Sequence, residues 1–150
     1  MTGGGRPRLT GAGPGRLLVA GYAFFALAAG ARAGWQLATR FHEAPVAYLL
    51  SALAAAIYLV AAAGLAAGGP VARRVALACC TVELCGVVAV GTASLVWVDA
   101  FGRATVWSGY GVGYGFVPLV LPVLGLWWLR RTRPAADAAS NFANPASRAG

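Results

Sequence analysis

Apolar positions along the chain fall into four long runs separated by short polar gaps, at about residues 17–39, 45–67, 75–98 and 110–129. Each run is the length a helix needs to cross a bilayer, where every backbone group must be satisfied within its own segment. The pattern therefore predicts an all-α membrane protein, a four-transmembrane-helix bundle over 16–133. The flanks at 1–15 and 134–150 are rich in small and polar residues and read as disordered tails.

Punctuation supports these bounds. The stretch from Arg16 to Arg40 is about 36 Å long at helical rise. A cleavable signal peptide is the competing reading of the first run, with Ala29-Gly30-Ala31 as its small-residue site. Bulky Tyr22, Phe24 and Phe25, and an apolar pattern that continues past that site, favour an uncleaved helix. Pro45 suits a first helical turn, and Gly68-Gly69-Pro70 ends the second span. In the fourth run, Pro118 and Pro122 each remove a backbone donor. Glycines four apart, at 30 and 34, 64 and 68, and 111 and 115, would let helices approach closely.

Composition sharpens the membrane reading: 59% of the 150 residues are hydrophobic and only 11% are charged, against about a quarter in soluble domains. The net charge of +8 would suit nucleic acid, but the arginines sit at the ends of apolar runs rather than along a basic stripe, so the bilayer is the expected partner and nucleic acid is not. Arg6, Arg8, Arg16, Arg73, Arg74, Arg130, Arg131, Arg133 and Arg148 fall on one side, and Arg32, Arg40 and Arg103 on the other. The positive-inside rule then places both termini in the cytoplasm. Trp35, Trp97 and Trp107 are expected at the outer interface, with Trp127 and Trp128 at the inner one.

Chemistry has little to work with. His42 is the sole histidine, and Cys79, Cys80 and Cys85 lie within one apolar run with no second cluster to complete a metal site. No cofactor, metal or catalytic set is expected, and the chain is not read as an enzyme. Val112 to Gly115 spells VGYG, as in a potassium-channel filter, but Gly111 stands where such a filter has Thr and too little chain follows for a further span.

Two sets of residues remain as candidates. Glu83 lies nine residues beyond Arg74, about 13 Å into the membrane and near its midplane. An intramembrane acid is a functional candidate by default. It is expected to face the interior, either paired with Arg32 or as a neutral acid donating to a carbonyl freed by Pro118 or Pro122. On that reading Glu83→Leu costs detergent stability and Glu83→Gln does not. The second set is an outer-face surface of Arg40, His42, Glu43, Asp99, Arg103, Trp107 and Tyr110 in two short loops, which suits either partner recognition or ordinary interfacial anchoring.

Phe41-His42-Glu43-Ala44-Pro45 leading into Ala47-Tyr48-Leu49-Leu50-Ser51, and the stretch from Ala104 to Pro118, resemble a group of uncharacterised four-helix integral membrane proteins of actinobacteria. The resemblance covers Tyr22 to Arg131 and implies a plasma-membrane location without an activity. The leading expectation is a non-enzymatic accessory or structural subunit, with a membrane-protein partner or further copies of itself. The alternative is a small oligomeric transporter or ion-pathway component.

Overall fold

The computed structural model describes residues 13–101 and 103–132, and these are all-helical, with no strand among them. The expected tails lie outside the described residues, except that Pro14 and Gly15 already belong to the first helix. Helix α1 runs Pro14–Arg40, followed by a 3-10 turn at Phe41–Glu43; α2 runs Pro45–Ala67 and α3 Pro70–Val96. A single-turn α4 at Val98–Phe101 and a 3-10 segment at Ser108–Tyr114 precede α5 at Val117–Arg131. Three helices are long and apolar enough to cross a membrane, or four if the 3-10 segment and α5, which meet at 101°, form one broken span.

Proline opens each of the four long helices, where its missing N–H leaves no intrahelical bond unmade. The α2–α3 turn needs only Gly68 and Gly69, because both take positive φ (68° and 94°) that an L side chain would strain. Helix α3 consequently starts at Pro70 rather than near 75, and Arg73 and Arg74 are helical. Arg73 donates to the Leu129 carbonyl, so a cation meets the negative C-terminal end of α5.

Small residues let the helices close on one another. Ala26, Ala29 and Ala33 of α1 and Ala54, Ala55, Ala61 and Ala62 of α2 are buried, and these two helices pack together most extensively. A Cβ on Gly64 would come within 3.2 Å of Ala76, so α2 and α3 approach backbone to backbone there. A Cβ on Gly34 would meet nothing within 4 Å, and Gly111 and Gly115 lie outside any α-helix, so these expected packing glycines do other work or none. Helix α3 packs against α2 and α5, and α5 also touches α1.

The fourth apolar run departs most from expectation. No helix begins near 110: Gly109, Tyr110 and Gly111 are left-handed at φ 54°, 60° and 82°, and Gly115 and Phe116 return to that region before α5 starts. Pro118 therefore sits in the first turn of α5 rather than kinking a longer helix, and Pro122 alone lies inside it. The 15 residues of α5 reach about 22 Å at helical rise. Even so, the broken unit runs the length of the bundle. At one end a Cβ on Gly91, near the end of α3, would strike Tyr110; at the other, Arg73 meets Leu129 and Trp128 lies on Gly15.

Candidate functional site

The buried face of α3 carries Ala76, Cys80, Glu83, Val87 and Gly91 at helical spacing, which brings Glu83 into the bundle interior. Glu83 is completely buried, beside Tyr22 of α1 and Tyr58 of α2. The Tyr22 hydroxyl and Cys80 Sγ lie 3.4 Å apart, and the rings of Tyr22 and Tyr58 are 6.1 Å apart. Tyr58 accepts a hydrogen bond from Trp107 Nε1 at 3.1 Å. Buried tyrosines demand such partners, and their presence in mid-run was a signal of a polar core that hydropathy alone does not weigh.

Neither expected partner of Glu83 is in place. Arg32 donates instead to the Tyr114 hydroxyl at 2.9 Å and lies over its ring at 5.9 Å. Helix α1 carries it to an exposed position near the Arg40 end of the bundle. Neither Glu83 oxygen meets strict hydrogen-bond geometry with a described residue, although the Tyr22 hydroxyl lies beside it, and the carbonyls beside Pro118 and Pro122 do not receive it. The expected mutational behaviour reverses accordingly. A buried polar group without a partner costs about 1–3 kcal/mol, and Glu83→Leu removes that cost while keeping the volume. Thermal unfolding in maltoside micelles should show Glu83→Leu at least as stable as the parent, with Glu83→Gln close to the parent. A clear loss in Glu83→Leu would show that the carboxyl is partnered after all.

The residues expected on the outer face divide into two groups. Glu43, in the 3-10 turn after α1, accepts from Arg103 Nη2 at 2.8 Å and lies 3.9 Å from Arg40 Nε. The Tyr48 hydroxyl also donates to it, at 3.4 Å. One carboxylate thus joins the end of α1, the first turn of α2 and the loop after α4. These groups are half exposed, and exposed pairs contribute about 0–1 kcal/mol, so the gain is loop register more than stability. His42 and Asp99 are exposed, with neither in an ion pair among the described residues.

Trp107 and Tyr110 do not belong to that surface. Trp107 is only 3% exposed, with its ring so close to α3 that a Cβ on Gly86 would fall 2.8 Å from it. The expected interfacial anchor is a core residue. Tyr110 is half-buried over Gly91, and its hydroxyl lies 3.1 Å from Thr92 Oγ1. Serine and threonine side chains drive this inward turn. Ser51 on α2 accepts from the Val106 amide at 3.4 Å, Ser94 on α3 from the Gly109 amide at 2.9 Å, and Ser108 from the Thr105 amide at 2.9 Å. Each satisfies a loop N–H that helix geometry cannot.

What remains at the Arg40 end is a polar platform of Arg40, Glu43 and Arg103 held by ion pairs, with His42 exposed next to Glu43, beside a cleft bordered by Arg32 and Tyr114. Such a surface can bind and orient. Comparison of the chain with protein-family models, with curated proteins and with solved structures finds no match.

Proposed function

We propose that this is a plasma-membrane protein with four crossings and both termini cytoplasmic. On this reading it serves as a non-enzymatic accessory or structural subunit whose recognition surface is the Arg40 end, facing outward. The observation that carries the reading is Glu43, which ties Arg40 and Arg103 into one platform and leaves His42 and Asp99 exposed beside it. Polar side chains held by a rigid scaffold are suited to specific recognition. The length of bundle covered by the 3-10 segment and α5 supports a fourth crossing. The arginine asymmetry supports the orientation, and the likeness to small actinobacterial membrane proteins supports the plasma membrane.

The test is purification of the full chain in mild detergent, with any stoichiometric companion quantified. Replacing His42, Glu43 and Asp99 together by Ala should preserve expression and reduce the companion about tenfold, a loss of roughly 1.4 kcal/mol in affinity. A companion that survives the triple change places recognition elsewhere, and a chain that purifies alone as a monomer removes the accessory reading. Glu83 favours a second reading, an oligomeric ion-pathway component, because an unpartnered acid in the bundle interior is a group that ion or proton transfer would use. Cation or proton flux into proteoliposomes that Glu83→Gln abolishes would favour it.

A further inference from the structure

The ends of α1 and α3, together with α4 and the 3-10 segment, border a cleft of about 470 Å3. We propose that this cleft binds an amphiphile with a singly charged anionic head, the head resting on the Arg32 guanidinium and the chain on the neighbouring apolar wall. The inference goes beyond the accessory reading and needs neither a protein partner nor a particular orientation.

Charge is the first argument. Arg32 lies eight residues before Arg40 on α1, about 12 Å deeper along the helix. A guanidinium at that depth is stabilised by an anion that meets it. Among the described residues none pairs with it: Glu43 is engaged by Arg40 and Arg103, Glu83 is enclosed in the core, and Asp99 on α4 neither lines the cleft nor forms an ion pair with Arg32. The single Tyr114 hydroxyl is a neutral acceptor for a group with five N–H donors. Arg103 also lines the cleft, but its guanidinium is already held by Glu43 at 2.8 Å, whereas Arg32 has no acidic partner among the described residues.

The lining supplies the second argument. Ser94 and Ser108 are committed to holding the loop, which leaves Arg32 as the group able to take an anion. Leu95, Val98 and Val112 line the same cleft and are exposed, so an occupant that reached Arg32 would rest against hydrocarbon. A hydrated inorganic anion gains nothing from that wall, whereas an acyl chain does. The pocket is also preformed. The left-handed run at Gly109 to Gly111 is pinned through Tyr110 to α3, and non-glycine residues held in that region often mark binding sites. A Cβ on Gly113, which lines the cleft, would meet nothing within 4 Å, so a larger side chain there can fill the space without disturbing the wall.

The experiment is mass spectrometry of the intact full chain released from maltoside micelles doped with dioleoyl phosphatidylglycerol or, at equal concentration, dioleoyl phosphatidylcholine. The parent should retain one phosphatidylglycerol about tenfold more than phosphatidylcholine, and Arg32→Gln should lose that preference. Gly113→Leu should reduce retention as strongly while leaving every charge in place, which keeps the test open if Arg32→Gln does not fold. Arg130→Gln, at the opposite end, should change nothing. Equal retention of the two lipids, or undiminished preference in both cleft variants, overturns the proposal. Displacement of the bound lipid by excess inorganic phosphate overturns the amphiphile in favour of a free anion.

Discussion

Trp107→Ala should lower the stability of the folded protein by about 3–5 kcal/mol, a larger loss than truncating any exposed aromatic residue among those described. The ring fills the space between α2 and α3 and is almost fully enclosed. Truncation leaves a cavity that close-packed Gly86 and Tyr58 cannot fill, and removes the indole donor from the Tyr58 hydroxyl. Trp107→Phe keeps much of the volume and loses chiefly that hydrogen bond, so it should cost about 1 kcal/mol from the donor. Trp35→Ala is the control, because Trp35 is 66% exposed. Thermal unfolding in maltoside micelles, followed by near-ultraviolet circular dichroism, separates the three. If Trp107→Ala unfolds with Trp35→Ala rather than well below it, the loop is not docked and Trp107 is an interfacial anchor after all.

Much of the helical layout was legible because it rests on composition and punctuation. Pro45 and Gly68 bound α2 where expected, and the alanine-rich runs pack as closely as their side chains permit. The start of α3 was read five residues late, because Arg73 and Arg74 look like a loop when charge is taken as the boundary. Pro70 at a helix start was the better signal. The fourth run misled for a different reason. Hydropathy averages over Trp107 to Leu129 and cannot register a left-handed run set by two glycines and the residue between them. Tryptophan near the end of a span usually marks an interface. Here the serines at 51, 94 and 108 bind loop amides and turn Trp107 inward, a long-range pairing that no local pattern announces. The burial of Glu83 followed from its depth and the cost of an acid facing lipid. Its partner did not, since Arg32 forms no ion pair with Glu83 and turns to Tyr114, which arrives from a segment whose course was not foreseen.

We infer that the 3-10 segment and α5 together cross the membrane, returning the C-terminus to the side from which α1 starts. Packing supports it at both ends, with Tyr110 on Gly91 and Leu129 on Arg73. Arg130 and Arg131 in the last turn of α5, with Arg133 following in the sequence, match the cytoplasmic excess expected of a return. A re-entrant α5 would instead leave the C-terminus outside, so the two arrangements differ by the presence or absence of a signal rather than by degree. A reporter enzyme active only outside the membrane, fused in turn after Glu43, Gly69, Arg103 and Gly150, decides between them. Activity is expected after Glu43 and Arg103 and absent after Gly69 and Gly150; activity at Gly150 would mean that α5 does not cross.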